Sequence, residues 1–156
     1  MNKQFLVTDY FDLRALQRVF RAAKFCIETD DIDIAPNPIV ARLFGMLMDT
    51  LISVQVEREG EVARERWNKW LTMTDTSRDE WRAAVWHAKR AKEWATWTRD
   101  KKKDYAKLLL SPFIVSPSTL DSFIEEVEKP NRQKKPSSST PRSSGVRKSR
   151  RGKHGK

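Results

Sequence analysis

The sequence predicts an all-α fold, a small helical bundle built on a long αα-hairpin with a disordered basic tail behind it. Three observations carry this reading. Apolar residues recur at three- and four-residue spacing through most of residues 1–129. Helix-start residues stand before those runs, and residues 77–110 contain neither Gly nor Pro. From Pro130 onward the chain turns to Ser, Lys and Arg, with one aliphatic residue and no aromatic. Such a composition cannot bury enough surface to offset its ordering entropy. The expected division is a helical domain over 1–129 and a disordered tail over 130–156.

The first helix is expected from about Asp9 to Glu28. Asp9 can cap it, and Leu13, Leu16, Phe20, Ala23 and Ile27 form its apolar face. Arg14, Arg18 and Arg21 share the opposite face. They read either as a solvated polar surface or as phosphate contacts, since their spacing can track a nucleic-acid backbone. The acid-rich stretch ETDDIDIAPNP then stops the helix and forms a linker. Its Asp30, Asp31 and Asp33 lack the spacing and Gly turn of an oxygen-ligand cation loop.

Asn37 followed by Pro38 is a strong helix start. Leu43, Phe44, Leu47, Leu51 and Val54 give this helix a wide apolar arc, the expected hydrophobic centre of the protein. Ile39 to Val56 is long enough to raise the question of a membrane span. Arg42 and Asp49 inside it favour a buried core helix and no membrane insertion. After Val56 the pattern shifts phase. Gly60 marks a bend, compatible with one bent helix or two, and Trp67 and Trp70 fall on a new face.

A short connection over 72–76 implies antiparallel neighbours, so the hairpin is expected to turn there. Ser77 with Glu80 three residues later forms a capping box. A helix running from there to Leu110 would span roughly 50 Å. On it Ala84, Ala88, Ala91 and Ala95 make a smooth stripe, while Trp86, Arg90, Trp94 and Trp97 lie opposite. Arg82, Lys89, Lys92, Arg99, Lys103 and Lys107 form a cationic edge between them, joined by Lys101 and Lys102. Pro112 and Pro117 break the chain, and Ser118 with Asp121 can cap a short last helix carrying Leu120, Phe123, Ile124 and Val127.

The location of the charge is more informative than its total. The chain carries a formal net charge of +10. Residues 130–156 hold ten Lys/Arg and no acid, so residues 1–129 are formally neutral. Within the fold, residues 75–110 have a local excess of ten bases over six acids. A polybasic arm of this kind binds polyanions through counterion release. It also serves as a nuclear or nucleolar address in a eukaryotic or virus-infected cell, the expected location otherwise being the cytoplasm.

Catalytic patterns do not emerge. The only histidines are His87 and His154, and Cys26 is the only cysteine, which excludes an intramolecular disulfide. No nucleophile elbow, phosphate-cradling Gly loop or zinc spacing is present, so no enzyme activity, metal or cofactor is expected. The acids at Glu57, Glu59, Glu61 and Glu65 alternate with Arg58, Arg64 and Arg66, as in a self-paired helix surface.

The expected function is therefore non-catalytic nucleic-acid binding, RNA ahead of DNA because no groove-reading helix is visible. Arg147, Lys148, Arg150, Arg151 and Lys153 of the tail would supply affinity, and the helix edge geometry. The six tryptophans all lie between 67 and 97. They read as hairpin core, or as a face at Trp86, Arg90, Trp94 and Trp97 that stacks on bases or docks a protein. The rival function is a helical adaptor whose tail is only a targeting signal. The Ala stripe and surplus apolar faces also lead to an expected homodimer.

Overall fold

The computed structural model describes residues 6–130 of the chain. Six α-helices make up the described fold: α1 (Tyr10–Lys24), α2 (Pro38–Glu59), α3 (Glu61–Leu71), α4 (Asp79–Ala88), α5 (Arg99–Leu110) and α6 (Pro117–Glu128). The fold is all-α, as the periodicity indicates. The predicted tail, with Arg147, Lys148, Arg150, Arg151 and Lys153, lies outside the described residues.

The first two helix starts follow the sequence signals. The Asp9 side chain accepts from the Phe11 and Asp12 amides, and the Asn37 side chain from those of Ile39 and Val40. These bonds satisfy donors that an α-helix leaves open at its first turn. α1 ends at Lys24, four residues short of the expected Glu28.

The predicted hairpin across 72–76 is not made; the antiparallel pair is instead α2 with α3, turning at Gly60. α2 and α3 are separate helices joined by that single residue, and α3 folds back along α2. Trp67 Nε1 donates to Gln55 Oε1 at 2.7 Å, tying the two arms. Gly60 has φ 82° and ψ −175°, a conformation that only Gly adopts readily. A Cβ added there would meet no atom within 4 Å, so a substitution is penalised by the backbone alone. Gly60→Ala should lower the urea unfolding free energy by about 1–3 kcal/mol. An unchanged midpoint would show that the turn relaxes without strain.

The predicted helix over 77–110 is two helices. α4 stops at Ala88, a short 3₁₀ turn occupies Trp94–Thr96, and α5 starts at Arg99 under a Thr98 cap. The break lets α5 fold back on α4, and both Trp94 of the turn and Ala106 of α5 are buried in the core. Aromatic and β-branched residues over 94–98 have modest helix propensity, so little is lost by breaking there. The expected capping box is not made either. α4 begins at Asp79, and Glu80 turns inward to Arg21 and Arg78 without reaching Ser77. Likewise Ser116, with Pro117 behind it, caps α6, and Asp121 points to α5.

α2 contributes Phe44, Met48, Leu51 and Ile52 to a core that also holds Trp81, Ala84 and Ala88 of α4, Leu109 and Leu110 of α5, and Phe123 of α6. Ala84 and Ala88 are thus used within the chain, while Ala95 is exposed, so the predicted Ala stripe is not a free surface. α2 is long and apolar enough to cross a membrane by composition, and one side of it is core, with Ile39, Leu43 and Met46 exposed.

Polar ties join α1–α3 to α4–α6. Glu80, 3% exposed, accepts from Arg21 Nε at 2.7 Å and Arg78 Nε at 3.3 Å. Burial raises its carboxyl, but its own backbone N–H and the two guanidinium groups together hold it below the usual value. Arg78 lies over the rings of Phe113 and Trp70, at 4.5 and 5.2 Å, and donates to the Trp70 carbonyl. Lys24, fully buried, donates from Nζ to the Ala35 carbonyl at 2.7 Å and the Leu108 carbonyl at 2.9 Å. The Leu108 carbonyl is one of the last four of α5, which have no acceptor role inside their helix. Met73 N donates to Ile114 O and Ile114 N to Leu71 O, both at 2.9 Å, pinning the two connections together.

Candidate nucleic-acid interface

Helical spacing places Arg14, Arg18 and Arg21 on one side of α1, and the Gly60 turn brings α3 opposite them. Between the helices lies an open groove of about 630 Å³. Its cationic lining is Arg14, Arg18, Arg21 and Arg66, its aromatic walls are Tyr10, Trp67 and Trp70, and Gln17 and Gln55 complete it. Among the described residues no carboxylate lines this groove. Arg21 is held by Glu80 and Arg66 by Glu59, both from outside the lining. The hydrogen bonds from Gln55 and Arg66, together with the Arg66 and Arg58 charges, keep the Glu59 carboxyl low against its desolvation.

Arg14 and Arg18 differ from these. Neither has an ion-pair partner among the described residues, and the Arg14 guanidinium lies 5.5 Å from the Trp67 ring centroid. Trp67 and Trp70 meet edge to face at 5.4 Å, and Trp70 packs on Phe113 at 5.1 Å. Phe113 thus backs Trp70, and Trp70 backs Trp67.

The predicted cationic edge is divided between α4, the turn and α5. Arg82 pairs with Asp79 one turn back. Lys89 caps α4 and reaches the Lys129 carbonyl at 3.4 Å. Lys92 is exposed in the turn. Three α5 cations cross to α6: Arg99 to Asp121 at 2.8 Å, Lys103 to Asp121 at 3.0 Å, and Lys102 to Glu128 at 2.7 Å. The hydrogen bonds from Arg99 and Lys103 hold the Asp121 carboxyl below its usual value, and Asp121 in turn raises Arg99. Lys107 pairs with Asp104 at 3.1 Å, and Lys101 sits 4.7 Å over Trp97. Much of the edge is thus a seam between α5 and α6.

The predicted tryptophan face is split by the same break. Trp86 remains on α4, half-buried, with the Arg90 guanidinium 3.4 Å above its ring centroid. Trp94 is buried, and its Nε1 has no hydrogen-bond partner among the described residues. Trp97 is half-buried and packs on Tyr105 at 4.9 Å. Burial, with the Asp33 charge, raises the Tyr105 hydroxyl. Arg90, Lys92, Trp97 and Tyr105 line a second depression of about 430 Å³ together with His87, Asp33 and Glu93.

His87 is buried with Nε2 3.0 Å from the Cys26 carbonyl. A carbonyl only accepts, so this nitrogen carries the proton. Burial lowers the imidazole, the Arg90 and Lys24 charges add to this, and the Cys26 hydrogen bond opposes them. It serves as a neutral tie between α4 and the end of α1.

The sequence singled out Arg14, Arg18 and Arg21 but not what faces them. Tyr10, Gln17, Gln55, Arg66, Trp67 and Trp70 join the groove only through the turn at Gly60. Comparison with family models, curated proteins and solved structures gives no match to this chain.

Proposed function

We propose that this chain binds nucleic acid without catalysing a reaction on it, RNA ahead of DNA. The carrying observation is the α1–α3 groove, where, among the described residues, Arg14 and Arg18 have no ion-pair partner, aromatic walls face them and no carboxylate lines the surface. Arginine beside aromatic rings suits phosphates and exposed bases together. The ten Lys/Arg of residues 130–156 add affinity without sequence preference. Of the predicted edge, Lys92 stands exposed in the turn, whereas Arg99, Lys102 and Lys103 must leave their carboxylates to reach a phosphate.

The test is a titration of residues 1–129 against the full chain, on single-stranded and duplex RNA and DNA. The shorter chain, formally neutral, should bind weakly and only at low salt. The full chain should bind more tightly with a steeper salt slope, because each phosphate neutralised releases counterion. A full chain with no affinity for any of the four would leave the adaptor reading. One observation favours that reading: Ile39, Leu43 and Met46 are exposed at helical spacing along α2.

A further inference from the structure

We propose that the α1–α3 groove takes an unpaired nucleotide of a single-stranded nucleic acid, with its phosphate on Arg14 and Arg18 and its base among Trp67, Trp70 and Gln17. The inference rests on the nucleic-acid reading above and narrows it from any polyanion to one with accessible bases.

Three features of the groove make that distinction. Its volume of about 630 Å³ falls in the range of pockets that enclose a small ligand, roughly 300–1,000 Å³. Arg14 and Arg18, one helical turn apart, are the groove's cations without ion pairs, so a phosphate meets them at no cost of breaking a pair. An edge made for phosphates alone would need nothing more.

The third feature is a carboxamide in the lining. Gln17, 5% exposed as a whole residue, lines the groove; its carboxamide makes no hydrogen bond among the described residues, and its polar atoms reach solvent at the groove. A carboxamide that meets solvent at the groove and has no partner among the described residues can exchange water for a ligand group. A carboxamide offers both a donor and an acceptor, which matches a base edge; a phosphate oxygen at neutral pH only accepts. The stacking surface is already in use in the free protein. Arg14 lies over Trp67, and unpaired bases stack on guanidinium planes as well as on aromatic rings. Paired bases inside a duplex cannot present a face to either.

The test uses the full chain and three labelled ligands of equal phosphate number: an oligoadenylate strand, a strand of abasic nucleotides and an RNA duplex. The wild-type chain should bind the oligoadenylate about tenfold more tightly than the abasic strand, in line with the worth of one stacked base. The oligoadenylate should quench tryptophan fluorescence, and the abasic strand should not. In Gln17→Leu combined with Arg18→Gln, the preference should fall to about twofold or less while the duplex affinity changes little. Arg18→Glu alone, at an exposed position without an ion pair, gives the same readout if the buried substitution disturbs folding. Equal affinity of the wild type for the abasic and base-bearing strands, or a preference that survives in the variants, overturns the groove assignment and leaves phosphate binding intact. No affinity for any of the three ligands overturns the nucleic-acid reading itself.

Discussion

Trp81→Ala should lower the unfolding free energy by about 3–5 kcal/mol, the range for removing a buried large aromatic side chain. Trp81 is fully buried on α4, meets Phe123 of α6 edge to face at 5.2 Å, and donates from Nε1 to Glu126 at 2.9 Å. Its removal opens a cavity where α4, α6 and the α2 core residues converge, and it leaves Glu126 without a donor. Against a typical total of about 5–15 kcal/mol, such a loss unfolds a large fraction of a marginal domain. Urea denaturation followed by far-ultraviolet circular dichroism measures it. Trp81→Phe keeps most of the volume and should cost far less. A loss below about 1 kcal/mol for the Ala variant would mean that the core collapses around the site.

The second large effect is alkaline. The ammonium of Lys24 sits among carbonyls with no carboxylate partner among the described residues, and burial lowers it from 10.5 to about 8. Below about pH 8 both the folded and unfolded chains carry this proton, and the cost of burying the charge is fully present. Between about 8 and 10.5 the unfolded chain holds a proton that the folded chain has released, so rising pH favours the fold. The shift corresponds to a gain of up to about 3 kcal/mol across that window. Tyr105 acts oppositely, since its raised value makes the unfolded chain lose its proton first as pH passes 10. Comparing the urea midpoint of wild type and Lys24→Met at each pH separates the two. The wild type should gain on the variant from pH 8 upward; parallel profiles would show that Lys24 keeps its proton in both states.

Helix content and two helix starts were readable because local chemistry decides them. Asp9 and Asn37 need only the amides of the next turn, and both cap as their sequence indicates. Ser77 and Glu80 have an equally good local pattern, yet Glu80 is claimed by Arg21, 59 residues away in sequence. Two guanidinium groups around a buried carboxylate outweigh one capping bond. The break after Ala88 had no Gly or Pro to announce it. There Trp94 is buried in the core and meets Tyr105 of α5 at 6.3 Å, a contact between segments that periodicity within either one does not encode. The groove was half readable for the same reason. Helical spacing alone aligns Arg14, Arg18 and Arg21, but its other wall depends on which way the chain turns at Gly60.

The seam between α5 and α6 gives the protein a tethered counter-anion. Asp121 occupies Arg99 and Lys103, and Glu128 occupies Lys102, before any outside ligand arrives. A phosphate approaching α5 competes with carboxylates of its own chain, present at an effective concentration on the order of millimolar or higher. Any anion that reached α5 would first have to displace these carboxylates, so the cations that the sequence offers to a ligand are the ones that clamp α6 to the rest of the fold.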